Sequence, residues 1–404
     1  MSKKSLIITI SIVLGLLLLS LIGYYFIILG NKSGTDPGTT GFRSFFPFGG
    51  NATTEQATST RPVQPETPKP NNFTQKLRKL STEPVAGAGV LDIKAGSLVR
   101  YVERGTGHVF EVEMFSPNQN RISNVTTPIT YEALWENKNN SFIARYLEDD
   151  NRTIDTYSIS VKTSTSTASS ISGVTFPPSI SDVSVFGGNV FYLQQKSLGS
   201  AGYVSGFDGS KKKQVWNSPI KELLSQFVNT KTVALTSKPA QNISGFLYFV
   251  DTETGKVTNV LGNIVGLTTL TSADTTKVLY LAQGDGISTY IFDIKAKSYT
   301  GIVPTTFPEK CVWSNKDKNI VYCAVPKERL DEKSLTTWYK GLIAFTDDIW
   351  KYDLKTNTST LIENPLNEFG EIIDVIKPIL SENEQYLIFI NKRDNILWSL
   401  DLTK

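Results

Sequence analysis

The chain holds one histidine, His108, and two cysteines in 404 residues. Two thiols and one imidazole cannot assemble a Cys/His zinc cluster, and any Ser-His-Asp relay would have to run through His108. That histidine opens a strand-like run in RGTGHVFEV, where an ordinary turn or edge role is the plainer reading. No G-x-S-x-G elbow is present, which excludes the usual signature of a serine hydrolase domain behind a propeller. Charge of one sign is also scarce: 41 Lys and Arg against 38 Asp and Glu leave a net +3, with no basic block beyond Lys211 to Lys213. There is no electrostatic case for a nucleic-acid partner, and no metal or cofactor is implied.

What is present begins with an apolar run, Leu6 to Gly30, that carries no charge and is long enough to span a bilayer core of about 30 Å. Lys3 and Lys4 precede it and Tyr24, Tyr25 and Phe26 lie near its far end, and no Ala-x-Ala cleavage pattern follows. The positive-inside rule then predicts a five-residue cytoplasmic stub, an uncleaved signal anchor over 6–30 and an exported remainder: a single-pass protein of the cell membrane with an extracytoplasmic domain. Residues 31–72 are rich in Gly, Thr, Ser, Asn and Pro and read as a disordered tether. Within it, FRSFFPFGG concentrates aromatic rings from Phe42 to Phe48, either against the membrane interface or the domain, or as a peptide that docks a partner.

From residue 73 onward the chain repeats one phrase, an apolar run, a polar turn and a second apolar run. EKCVWSNKDKNIVYCAVP is its clearest copy; LWENKNNSFIARY, LTSADTTKVLYLA and LSENEQYLIFI are others. Aligning Trp135, Leu270 and Trp313 gives a period of about 45 residues, the length of a four-stranded propeller blade. An aspartate closes the third strand of five units, at Asp208, Asp251, Asp293, Asp353 and Asp401, where capping of the following turn is expected. Cutting the chain this way predicts an all-β, seven-bladed β-propeller over 73–404, with six or eight blades if the first two units are mis-cut. The last unit stops after three strands, and KLRKLSTEP copies the form of the missing outer strand. Residues 76–81 are therefore expected to complete the seventh blade and shut the ring.

Cys311 and Cys323 are symmetric about Asp317, so a turn over 314–319 sets them opposite each other. Export would permit a disulfide, which is favoured over two buried thiols. The one large insertion between second and third strands, residues 327–348, gathers Trp338, Tyr339, Phe345, Asp347 and Asp348 on the loop face that propeller ligands approach. It is either a cap offering aromatic and carboxylate contacts to a ligand or a plug that buries its rings against neighbouring blades. Asp149 with Asp150, or Asp347 with Asp348, could supply paired carboxylates, although adjacent acids in loops are more often solvated. No catalytic residue is assigned.

WSNKDKNIVY and LSENEQYLIF resemble the hairpin units of TolB-like and WD-repeat propellers, with glycine absent from the turns. The anchor, the FPFG linker, KLRKLSTEPVAGA and KCVWS…YCAVP followed by WYKG…DDIW resemble the uncharacterised single-pass membrane-anchored propellers of bacteria. That resemblance implies fold and location and no substrate. The leading expectation is a non-enzymatic binding or protein-interaction scaffold at the cell envelope, meeting an envelope protein or glycan. The alternative is an envelope hydrolase acting on glycan or peptide through carboxylates on the loop face, which three acids converging in the channel mouth away from basic partners would favour.

Overall fold

The computed structural model describes residues 73–404, except 124, 125, 127, 128, 149, 151, 163–169 and 285. These residues fall within Ala57–Lys404, the second of two compact units into which the chain divides. They form seven four-stranded antiparallel sheets. Strand β1 (Leu77–Lys79) precedes the first blade, which comprises β2 (Val85–Ile93), β3 (Gly96–Glu103), β4 (Val109–Glu113) and β5 (Gln119–Arg121). Blade two holds β6 (Thr130–Trp135), β7 (Ser141–Leu147), β8 (Ile154–Lys162) and β9 (Ser170–Thr175). Blade three holds β10 (Ile180–Phe186), β11 (Asn189–Lys196), β12 (Gly199–Gly206) and β13 (Lys213–Ser218). Blade four holds β14 (Leu223–Asn229), β15 (Thr232–Ser237), β16 (Ser244–Asp251) and β17 (Val257–Val265). Blade five holds β18 (Thr268–Thr271), β19 (Lys277–Gln283), β20 (Ile287–Asp293) and β21 (Ser298–Ile302). Blade six holds β22 (Cys311–Trp313), β23 (Ile320–Pro326), β24 (Asp347–Asp353) and β25 (Thr358–Glu363). Blade seven takes β26 (Val375–Leu380), β27 (Tyr386–Asn391) and β28 (Ile396–Asp401), with β1 as its outer strand.

The ring shuts as the strand pattern predicts: Leu77 pairs with Leu400 and Lys79 with Trp398. Leu77 and Leu80 are buried, and the Lys76 ammonium reaches the Glu363 carboxylate of the preceding blade at 3.0 Å. Burying two leucines on a borrowed strand contributes roughly 1.5–3 kcal/mol each and removes a bare sheet edge. Between blades the sheets pack face to face. Ala86, Val102 and Val109 of blade one meet Ala133, Trp135 and Phe142 of blade two, and Ile388, Ile390 and Leu397 of blade seven meet Val85, Val99 and Tyr101 of blade one. Second strands are covered on both faces, which is why Val190 to Leu193 read as an unbroken apolar run.

The turns explain themselves locally. Asp251 accepts from the backbone N–H groups of Glu253 and Thr254, Asp353 from Lys355 and Thr356, and Asp401 from Thr403, so these aspartates cap turns. The hairpins without glycine place Asn139, Thr275 and Glu384 in the left-handed region, at φ 52°, 56° and 52°. Asparagine tolerates this well; threonine, branched at Cβ, does so only when the surrounding sheet dictates it. Cys311 pairs with Cys323 and Trp313 with Val321 across β22 and β23, and the two cysteines form a disulfide of Sγ–Sγ 2.11 Å.

The membrane-anchored part of the sequence reading is corrected. The run Leu6 to Gly30, the tether over 31–72 and the Phe42 to Phe48 cluster all lie outside the described residues. Among the described residues no helix is long and apolar enough to cross a membrane. The helices there are α1 (Ser334–Tyr339) and α2 (Pro365–Phe369), six and five residues long, plus a single 3-10 turn, whereas a span needs about 20 residues. The signal anchor, the cell-membrane location with a cytoplasmic amino terminus, the membrane as partner and the membership of a membrane-anchored propeller family are therefore withdrawn. The seven-bladed fold and the disulfide stand.

Candidate functional site at the channel mouth

The first strand of every blade is its innermost, and its amino-terminal end lies on the face that carries the insertion. On that face residues 327–346, between β23 and β24, fold into a cap around α1. The Asp331 carboxylate accepts from the Ser334 N–H at 2.8 Å and its own N–H donates to the Ser334 hydroxyl, which starts the helix; Gly341, at φ 71°, stops it. The cap leans over several blades. Thr336 Oγ1 accepts from the Gln241 N–H of blade four, the Glu332 carbonyl accepts from Gln283 of blade five, and the Trp338 carbonyl accepts from Lys392 of blade seven.

Beneath α1 lies a latch of fully buried charge. The Lys310 ammonium, at the end of the 3-10 turn Pro308–Lys310, donates to Asp347 at 2.5 Å and to Asp374, and all three side chains are 0% exposed. It also sits over the rings of Trp338 and Phe345, at 5.1 and 5.5 Å. Asp374 accepts from the Trp338 indole N–H at 3.0 Å and from the Phe345 N–H at 2.9 Å, and Asp347 accepts from the Val375 N–H at 2.7 Å. Burial pushes the Asp347 carboxyl up to about 6 against the pull of Lys310. Phe307, Leu281 and Leu335 complete this core.

Of the residues singled out in the sequence, Trp338, Phe345 and Asp347 thus meet, 4%, 3% and 1% exposed, inside the cap. Tyr339 stands at its edge, donating its hydroxyl to Glu309, whose own carboxyl is raised by burial. Asp348, on the opposite face of β24, pairs with Lys327 at 3.2 Å. His108 contacts Thr126 Oγ1 at 3.2 Å.

The mouth itself holds residues that the sequence reading passed over. Glu132 on β6 pairs with Lys377 on β26 at 2.8 Å and with Arg145 on β7 at 3.1 Å. Burial by itself would raise the Glu132 carboxyl, but the two cations outweigh it and hold it below the usual range. Arg145 also lies over the Tyr131 ring and donates to the Ile180 carbonyl, which fixes it beside β10. There Asp182 occupies the place in blade three that Glu132 occupies in blade two. Its Oδ2 accepts from the Ser225 N–H and hydroxyl, both at 2.6 Å. Burial drives this carboxyl up to about 6, with Glu132 adding to the rise and Arg145 and Ser225 opposing it. The arrangement is not three acids free of basic partners. It is two acids whose surroundings push their proton affinities apart. Among the described residues no group of three or more His, Cys, Asp or Glu is placed to hold a metal ion.

No family model and no curated protein matches the sequence. Solved structures do. The chain is similar to an oligogalacturonate lyase in complex with manganese (TM-score 0.51, 8% identity, covering 80% of this chain and 98% of that one). It is similar to the oligogalacturonate lyase from Vibrio parahaemolyticus (TM-score 0.55, 9% identity, 82% and 95% covered) and to TolB from Acinetobacter baumannii (TM-score 0.41, 10% identity, 78% and 78% covered). Likeness to the two lyases at this identity shows a shared fold.

Proposed function

We propose that the protein is a propeller enzyme whose channel mouth performs general acid–base chemistry on a glycan. The observation that carries this reading is the splitting of Glu132 and Asp182: one carboxyl kept ionised by Lys377 and Arg145, the other made reluctant to ionise. Two acids with proton affinities driven apart are the requirement for an acid and a base at one pH. In hydrolysis, Asp182 gives its proton to the departing glycosidic oxygen as the C–O bond breaks. Glu132 takes a proton from the water whose oxygen bonds to the anomeric carbon, so one water is consumed and both proton transfers are accounted for.

Oligogalacturonides are the first substrates to try, because two of the similar folds belong to enzymes named for them. The test is release of reducing ends from a panel of neutral and acidic oligosaccharides by the full chain and by Asp182→Asn. Turnover in the wild type with a loss of about 10²-fold or more in the variant supports the reading. Glycan binding without turnover in either protein would replace it by a binding module, the second reading, which the closely docked cap favours.

A further inference from the structure

Below the acid pair the channel wall opens into a cavity of about 270 Å³. Ala88, Leu134, Trp135, Ile379, Phe389 and Lys377 are among the residues that line it, so its surface is mostly apolar. The cavity has a cause in the backbone. In the innermost strand of blade seven, Ile376 pairs with Ile390 and Ile379 with Ile388, so Lys377 and Pro378 face Phe389 together in a bulge. Lys377 takes φ 51° there, and Pro378 has no N–H to give to the ladder. The strand bends away from its partner and leaves room beside it.

Two features join this cavity to the acid site. Lys377 is at once part of its rim and one of the two cations that hold Glu132 ionised. Leu134, two residues beyond Glu132, projects from the same face of β6. A ligand held by its polar part against Glu132 and Lys377 therefore has an apolar chamber directly beyond it. The chamber exceeds the cavities of about 150 Å³ that enclose a benzene ring, and falls short of the pockets of about 300 Å³ and upward that take drug-sized ligands.

We propose that this chamber is a subsite for one small apolar group, an aryl or short alkyl substituent, carried by the glycan. This rests on the acid–base reading for the polar half of the ligand only. The test compares binding of methyl and phenyl galacturonides that share one sugar, and of phenol by itself, to the full chain by calorimetric titration. Ala88→Trp takes up enough of the chamber to exclude a ring, and Asp182→Asn leaves it intact.

The phenyl galacturonide should bind about 30-fold more tightly than the methyl one, as expected for burying most of a ring. Ala88→Trp should abolish that preference and phenol binding, and Asp182→Asn should keep both. Equal binding of the two galacturonides by the wild type, which needs no variant, overturns the subsite whatever the turnover data show. Phenol bound as well by Ala88→Trp as by the wild type overturns it too. Phenyl preference with no turnover of any glycan leaves the subsite standing and removes the acid–base reading instead.

Discussion

Replacing Lys310 by methionine isolates the latch, because the new side chain keeps the apolar stem against Trp338 and Phe345 and deletes only the charge. Asp347 and Asp374, both buried, are then left facing each other without a cation. Removing one partner of a buried ion pair costs about 3–5 kcal/mol, since the charge left behind stays desolvated. For a domain of this size that is a fall of roughly 4–7 °C in calorimetric Tm at pH 7.5.

The sign with pH is fixed by Asp347. Its folded carboxyl stands at about 6, above its ordinary 3.8, so its ionisation opposes folding at neutral pH and that opposition fades as pH falls through 6. Without Lys310 the carboxyl is pushed higher still. The gap between Lys310→Met and wild type should therefore be widest above pH 7 and narrow toward pH 5. Adding Asp347→Asn to Lys310→Met removes the stranded charge and should restore about 1–3 kcal/mol, a coupling read from the double-mutant cycle. Protease cleavage within 327–346 should quicken in the single variant and slow again in the double. A Tm within about 1.5 °C of wild type, about 1 kcal/mol or less, or a penalty that does not vary with pH, refutes the argument that this charge cluster holds the cap down.

Three further outcomes follow from other parts of the molecule. Reducing the Cys311–Cys323 bridge, which closes a loop of sequence separation 12, should cost about 3 kcal/mol in urea unfolding, with both thiols then alkylatable. Leu77→Asp puts a charge in the buried strand that closes the ring and should lower stability by more than about 3 kcal/mol; equal urea midpoints for variant and wild type would mean that β1 is dispensable. If Asp182 is the proton donor, kcat/KM should fall as pH rises through about 6, and Ser225→Ala, which removes a hydrogen bond that stabilises the ionised form, should move that limb upward.

The fold was legible because a blade writes itself twice, once as the apolar–turn–apolar hairpin and once as the aspartate after the third strand. Blades two to seven fall where those two registers cut the chain, including the unit whose outer strand comes from residues 77–79, while blade one shows neither mark clearly and was cut from its own apolar runs. Glycine-free turns did not spoil the pattern, since Asn139, Thr275 and Glu384 adopt the left-handed conformation themselves. The disulfide was legible for a simpler reason, symmetry about a turn. The cap was legible as an insertion but its contents were not: nothing in KERLDEKSLTTWYKGLIAFTDD announces that Lys310, before the preceding strand, will supply the cation for Asp347.

The mouth escaped for a geometric reason that also says where to look in such chains. Acids adjacent in sequence suggested paired carboxylates, but successive residues of a strand point to opposite faces, so Asp347 turns inward to Lys310 while Asp348 turns outward to Lys327. A pair sharing one site must instead be separated by about a blade, because corresponding positions on successive inner strands come round the same ring. Glu132 and Asp182 satisfy this, and so does Ser225, which supports Asp182 from the next blade. Lys377 extends the ring into blade seven, and Glu309, in the 3-10 turn before β22, lies beside Ser225. Polar residues at the amino-terminal ends of inner strands, spaced by the repeat and unlike one another, are thus the signal the sequence carried. They differ where the core positions around them repeat, and a ring of unlike groups on a repeating frame is what an asymmetric ligand requires.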